Sequence, residues 1–176
     1  MQGRRLLLSL LLFLGLAFPA WAQVTISFYS RDFGETFPHA FFTLRGTVAG
    51  DTTPVDANYG FTAVTVSPAI LMGPVKGKVE TVKPDFVRKS QLHLSFPISD
   101  DQYRAVVALV DRWRSLPGRS YDLNKRNCVF FVAAVARTLG LDVVEDRKLM
   151  KKPRSFLDDV VRRNQRVAAS GPAMAR

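Results

Sequence analysis

The single cysteine, Cys128, is the residue of this chain best suited to nucleophilic chemistry. It follows a polar turn, residues 120–127, and begins an apolar segment. Asn127 can cap a helix that begins there, which places the thiol in the first turn beside unpaired backbone N–H groups. The positive end of the helix dipole is expected to favour thiolate over thiol at this position. A free cysteine is also a common core residue, so a packing role for Cys128 stays open.

A thiol nucleophile needs a base within hydrogen-bond reach, and the chain offers two histidines. His39 lies in a strand-like segment whose two faces both carry bulky apolar side chains. This pattern indicates that His39 is buried and needs a polar partner. His93 alternates with Leu92 and Leu94 and is expected to face solvent. His39 is therefore the predicted general base, with a buried core histidine as the alternative.

The elements that must position these two residues can be predicted from periodicity. Strands are expected over 23–30, 37–44, 59–67, 77–82 and 92–96. Ser99 and Gln102 form a capping box that predicts the start of a helix. A second helix is expected to begin at Cys128 and to end at Gly140. A last helix is expected over about 156–166. The order of strands first and helices after predicts an α+β fold, with an antiparallel sheet packed against the central cysteine-bearing helix.

The first 22 residues have the pattern of a secretory signal peptide. Arg4 and Arg5 precede an apolar run, and Ala20-Trp21-Ala22 forms a small-x-small cleavage site. We therefore expect an exported protein, periplasmic or secreted, with one domain over 23–166 and a disordered tail over 167–176. A lone cysteine cannot form an internal disulfide in an oxidising compartment, which favours a chemical role for Cys128.

The chain is strongly basic, with a formal net charge of +10 that falls to +8 without Arg4 and Arg5. The excess gathers late, in a group of side chains that we call the basic cluster: Arg147, Lys148, Lys151, Lys152, Arg154, Arg162, Arg163 and Arg166. This cluster predicts an anionic membrane or polymer surface as a partner, and a solvated face without a ligand is the alternative. Nucleic acid is not expected, because the aromatic residues are not interleaved with the charges. One cysteine and two separated histidines make no metal-ligand cluster, and no cofactor is expected.

Four segments of the sequence resemble the motifs of a known family. They are Pro38-His39-Ala40-Phe41-Phe42, Tyr59-Gly60-Phe61, a helix start at 98–103, and a long segment at 121–132 that contains Asn127-Cys128. Together they are similar to the circularly permuted papain-like cysteine hydrolases of bacterial envelope or effector type, which include NlpC-type peptidases and lecithin-retinol acyltransferase-like proteins. The resemblance covers roughly residues 24–165. Pro38, Arg126 and Val129 depart from the pattern.

The resemblance implies that Cys128 is the nucleophile and His39 the general base. It also implies a third polar residue that orients the imidazole, for which Asn58 and Thr62 are both candidates. Tyr121 and Asn127 match positions that shape the site. The implied function is an exported cysteine hydrolase, peptidase-like or amidase-like, acting on a cell-envelope peptide or amide. The alternatives are a lipid or lipoprotein acyl-ester hydrolase or acyltransferase, and a catalytically inactive basic binding domain of the same fold.

Overall fold

The computed structural model describes residues 23–32, 34 and 37–170, so the predicted signal peptide lies outside the described residues. Within that part the strands are β1 (Val24–Arg31), β2 (His39–Gly46), β3 (Val55–Ala63), β4 (Gly77–Glu80) and β5 (Gln91–Ile98). The helices are α1 (Ala69–Met72), α2 (Pro84–Arg88), α3 (Asp100–Arg114), α4 (Cys128–Thr138), α5 (Pro153–Arg163) and α6 (Gln165–Ser170). The predicted α+β class with an antiparallel sheet is confirmed.

The five described strands form one sheet in the order β4-β3-β2-β1-β5, and every neighbouring pair is antiparallel. The pairing of β2 with β3 runs from Gly46↔Val55 to Phe41↔Gly60. Among the described residues, His39 and Ala40 pair only with β1. We call this end of the β2–β3 ladder, bordered by Ala40 and Gly60, the strand opening.

The sheet has a helix-covered face on which α4 packs against β2 and β3, and α5 against β1 and β5. Phe42 of β2 contacts Phe131 of α4 at 5.7 Å between ring centroids, which identifies the α4 face of β2. Side chains alternate along a strand, so Ala40 shares this face and Phe41 does not. Phe41 instead contacts Phe86 of α2 at 5.7 Å on the other face of the sheet. Because both faces of β2 are covered, its residues 39–44 are all buried.

The predicted helix ends are confirmed where a side chain or a glycine determines them. Ser99 accepts a hydrogen bond from the Gln102 N–H, and the Gln102 side chain accepts one from the Ser99 N–H, which completes the capping box of α3. Asn127 caps α4 through its side-chain oxygen. Gly140 follows α4 with φ of +81°, a left-handed conformation that glycine adopts without steric cost.

Two predictions about the elements are wrong, and two short helices were not predicted. β3 begins at Val55 and ends at Ala63, four residues earlier at each end than expected, because the register with β2 and β4 fixes it. The short helices α1 and α2 lie in segments for which no element was predicted. The expected disordered tail is helical up to Ser170, since α6 packs Val167 and Ala168 against the core; residues 171–176 lie outside the described part.

His93 is buried, which contradicts the expectation that it faces solvent. Phe28 pairs with Leu94 and Tyr29 with Leu92, so His93 is an extra residue in β5. A bulge of this kind breaks the alternation of side chains, and both His93 and Leu94 turn inward.

In the part of the chain that the structure describes, no helix has the length and apolar character needed to cross a membrane.

Candidate functional site

A cavity of about 1050 Å³ lies at the strand opening, and both Cys128 and His39 line it. Most of its wall is apolar, and Phe37, Val66 and Leu71 stand at its exposed rim. Four cations also line it, Arg31, Lys83, Lys89 and Lys151, together with the carboxylates Glu80 and Asp85. The cavity is therefore a cleft with an apolar wall and a predominantly positive border, a form that suits binding of a small molecule or an extended chain.

Cys128 is the first residue of α4, and its position depends on the Asn127 cap. The Asn127 side-chain oxygen accepts hydrogen bonds from the N–H groups of Val129 at 2.7 Å and Phe130 at 3.4 Å. The Asn127 amide donates to the carbonyl oxygens of Leu123 and Met150, both at 2.8 Å. Four hydrogen bonds thus fix the turn before Cys128, and the predicted shaping role of Asn127 has a physical basis.

The thiol of Cys128 is buried against the backbone of β2 at the strand opening. Burial raises its pKa to about 11, although backbone hydrogen bonds from Ala40, Val129 and Cys128 itself lower it. The expected preference for thiolate at this helix start is therefore wrong for the resting protein. Desolvation of a charged sulfur outweighs the favourable end of the helix dipole.

His39 approaches the same opening from the α2 face of the sheet. Its ring is stacked with Phe41 at 6.1 Å and forms a T-shaped contact with Phe86 at 6.4 Å between centroids. Burial lowers the pKa of His39 to about 4, against an opposing effect of the nearby Glu80 carboxylate. The imidazole is therefore neutral at pH 7 and able to accept a proton.

The two candidate catalytic groups are brought to one cavity but are not joined by a hydrogen bond. The Nε2 atom of His39 is buried and has no hydrogen-bond partner among the described residues. Cys128 reaches the opening from the α4 face and His39 from the α2 face. The resting site thus holds a neutral thiol and a neutral imidazole with a free nitrogen.

The remaining predicted residues separate into two groups. Tyr121 lines the cavity close to Cys128, and burial followed by the effect of Cys128 raises the pKa of its phenol. Thr62 also lines the cavity, on β3 beyond Gly60. The Asn58 side chain instead binds the backbone of Val82, accepting from its N–H at 2.6 Å and donating to its carbonyl at 3.2 Å. Asn58 therefore fixes the β4–α2 connection, and the proposal that it orients His39 is not supported.

The sequence analysis gave no role to the residues that surround the imidazole, although Gly60 belongs to one of the motifs. A Cβ atom at Gly60 would stand 2.2 Å from His39 Nε2, so only glycine leaves room for the ring. Glu80 is the cross-strand neighbour of Gly60 and Arg31 that of His39. A glycine inside a strand pattern is a signal for close approach of another group, and it could have pointed to Gly60. The other two follow only from the strand register.

The second histidine forms a hydrogen-bonded series with Ser30 and Asp158. His93 Nε2 lies 2.7 Å from Ser30 Oγ, and its Nδ1 lies 2.9 Å from Asp158 Oδ1. Burial lowers the pKa of His93, partly offset by Asp158. The order Ser-His-Asp matches that of a hydrolase triad. Ser30 is only 1% exposed, however, and the series connects β1, β5 and α5, so its role is to hold α5 against the sheet.

The basic cluster is partly neutralised in the structure. Asp159 binds both Arg162 and Arg163, and Arg154 pairs with Asp32. Lys151 alone of the cluster borders the cavity. Among the described residues, no group of three or more His, Cys, Asp or Glu side chains could hold a metal ion.

Comparison with known proteins gives no relative from which a role could be transferred. No family model matches the chain, and neither a curated protein nor a solved structure shows significant similarity to it.

Proposed function

We propose that this protein is an exported cysteine hydrolase with a circularly permuted papain-like fold, in which Cys128 is the nucleophile and His39 the general base. The observation that carries the proposal is that Cys128, the first residue of α4, and His39 line one cavity at the strand opening, where the buried Nε2 atom of His39 has no partner among the described residues. A nucleophile at a helix start and a base with a free nitrogen are the two parts that acyl transfer requires.

The reaction begins with both groups neutral. His39 Nε2 accepts the proton of the Cys128 thiol as the sulfur attacks the carbonyl carbon of the substrate, and the carbonyl oxygen becomes an oxyanion. The amine or alcohol departs with the proton from His39, leaving an acyl-enzyme. Water then attacks the thioester, His39 takes its proton, and collapse of the intermediate returns that proton to the sulfur and releases the carboxylic acid.

Two neighbouring groups can stabilise the charges that form. The Asn127 oxygen occupies the N–H groups of Val129 and Phe130, so the Cys128 N–H is the first-turn donor left beside the sulfur for the oxyanion. Glu80 raises the pKa of His39 and so stabilises the imidazolium formed during attack. This effect of Glu80 is one of charge, and no hydrogen bond to the imidazole accompanies it among the described residues.

The resting geometry requires that the imidazole reach the thiol when substrate binds. A preformed thiolate–imidazolium pair is not compatible with a thiol pKa of about 11 and an imidazole pKa of about 4. Proton transfer is instead coupled to attack on the carbonyl, as in general-base catalysis. The unsatisfied Nε2 atom of His39 favours this step, because a buried nitrogen without a partner gains a hydrogen bond by turning to the thiol.

The substrate that the predicted export signal favours is a cell-envelope peptide or amide. The apolar wall of the cavity is an observation in favour of the second candidate, an acyl ester of a lipid or lipoprotein. Leu71 and Met72 beside the cavity mouth are 77% and 89% exposed, as side chains that meet an apolar surface would be.

The test is release of the acyl product from N-acyl amide and acyl ester substrates by the wild-type chain and three variants. Cys128→Ser and His39→Ala should each lose activity by a factor of at least about 100, and the double variant should lose no more than either. Faster turnover of amides than of esters identifies a peptidase or amidase. Activity that survives Cys128→Ser contradicts the proposal.

The competing function is a binding domain of the same fold without catalysis, which the raised pKa of the Cys128 thiol favours. In that case the wild-type chain would bind acyl ligands but transfer no acyl group. The Cys128→Ser variant would bind the same ligands as tightly as the wild-type chain does. Because Cys128 is the only cysteine, alkylation of the native chain reports on this thiol alone.

A further inference from the structure

The cavity contains a cation that the proposed chemistry does not use. Arg31 is the last residue of β1 and the cross-strand neighbour of His39. Residues directly opposite each other in an antiparallel pair place their side chains on the same face, so the guanidinium and the imidazole share the α2 face. Both residues line the cavity.

The guanidinium of Arg31 is held in place but is not satisfied. Its Cζ atom lies 5.0 Å from the centroid of the Phe86 ring, which also forms a T-shaped contact with His39. The Nη1 atom is buried and has no hydrogen-bond partner among the described residues. A buried guanidinium nitrogen without an acceptor is costly, and one oriented by an aromatic ring is ready to bind a planar anion.

The acidic groups nearby do not supply that anion. Glu80 pairs with Lys78 at 2.8 Å, and Asp85 pairs with Arg88. Asp32, the residue after Arg31, pairs with Arg154 at 2.9 Å. Each of these three carboxylates has a cation of its own, and none of the ion pairs found among the described residues includes Arg31.

We propose that Arg31 forms a carboxylate-binding subsite beside His39, so that the substrate carries a free carboxylate close to the bond that is cleaved. The position of the cleaved bond relative to this carboxylate rests on the proposed function. The binding of a carboxylate by Arg31 does not. A carboxylate accepts two parallel hydrogen bonds from a guanidinium, which positions the acyl chain in the apolar cavity. The four cations that line the cavity outnumber its two carboxylates and attract an anion, and a phosphate dianion is the probe that tests the assignment to a carboxylate.

The substrate class that follows is an acylated amino acid or a peptide with a terminal carboxylate near the scissile bond. The subsite would select against the corresponding amide, which is neutral and leaves the buried nitrogen without a charged acceptor.

The test is equilibrium binding of N-octanoyl-alanine and of its carboxamide, measured by calorimetry at low salt on the wild-type chain and on Cys128→Ala, which cannot transfer acyl groups. The acid should bind at least about tenfold more tightly than the amide to both proteins. Arg31→Gln should abolish this preference, and Arg31→Lys should retain part of it. Arg45→Gln is the matched control, an exposed arginine of β2 that pairs with Asp56 and should keep the full preference.

The outcomes separate the subsite from the catalytic proposal. A retained acid preference in a chain that shows no acyl transfer would reject the hydrolase and leave the subsite standing. Equal binding of acid and amide by the wild-type chain, or binding of neither at millimolar concentration, overturns the subsite whatever the variants do. Octyl phosphate is the third probe: tighter binding of the phosphate than of the acid would overturn the assignment to a carboxylate.

Discussion

The imidazole of His39 occupies the space that a side chain at residue 60 would fill: a Cβ atom on Gly60 would stand 2.2 Å from Nε2 and 3.0 Å from Cε1. The ring is enclosed by Gly60 on one side and by Phe41 and Phe86 on others. This enclosure explains both the low pKa of His39 and the absence of a hydrogen bond to Nε2 from the described residues. Gly60 therefore determines where the base can lie.

Gly60→Ala should displace the His39 ring and reduce acyl transfer. The clash is with a ring held by two aromatic neighbours, so we expect a loss of stability of about 1–3 kcal/mol and a rise of the His39 pKa as the ring leaves its enclosure. NMR titration of the imidazole and denaturant unfolding measure the two effects. Gly34→Ala is the control, because a Cβ there meets none of the described atoms within 4 Å. An unchanged His39 titration in Gly60→Ala would contradict the enclosure.

Asn127→Asp tests the turn that positions Cys128. The substitution keeps the oxygen that caps α4 but replaces the amide that donates to Leu123 and Met150 with a second acceptor. Since Asn127 is almost fully buried, we expect a loss of about 2–4 kcal/mol in the free energy of unfolding. Asn124→Asp, in the exposed part of the same turn, should change stability little. Equal effects of the two substitutions would show that the amide hydrogen bonds contribute nothing.

The two buried histidines should make the protein lose stability in mild acid. The pKa of His39 falls from 6.5 in the unfolded chain to about 4 when folded, so the unfolded state binds the proton first as pH drops. The stabilisation is complete above pH 6.5 and is lost between pH 6.5 and 4, by about 3 kcal/mol for His39. His93 acts in the same direction, because its pKa is also lowered.

His39→Gln isolates this contribution. Urea unfolding at several pH values between 7 and 4 should give a flatter dependence of the unfolding free energy on pH for the variant than for the wild-type chain. Identical slopes would mean that His39 titrates normally in the folded protein.

The hydrogen-bonded series of Ser30, His93 and Asp158 should matter for stability and not for catalysis. Ser30→Ala removes the acceptor or donor at His93 Nε2, and we expect a loss of about 1–3 kcal/mol in unfolding free energy with acyl transfer unchanged. Steady-state kinetics and thermal unfolding of the same preparation decide the matter. Loss of activity without loss of stability would move the nucleophile from Cys128 to Ser30.

The parts of the fold that were predictable are those that local sequence determines. Local capping signals determine where α3 begins and where α4 begins and ends. These signals are the Ser99–Gln102 capping box, the Asn127 cap and Gly140. The burial of His39 also followed from apolar neighbours in both phases of β2. Each of these signals lies within a few residues of the feature that it specifies.

The remainder depends on pairing between distant segments. His93 turns inward because of a register shift between β1 and β5, which no pattern within β5 indicates. The neutral state of Cys128 follows from burial against Ala40, some ninety residues away in the chain, and this outweighs the helix-start effect that the sequence suggested. Arg31 and Glu80 reach the site through strand register alone.

The most direct test of the catalytic proposal is the rate at which an activated acyl ester acylates Cys128 at pH 7, followed by intact-protein mass spectrometry in a single turnover. One cysteine in the chain makes the site of a hydroxylamine-sensitive thioester unambiguous. We predict that the wild-type chain acquires one acyl group and that His39→Gln acquires it at least about 100-fold more slowly. Equal rates of acylation in the two proteins would contradict the assignment of His39 as the base for Cys128.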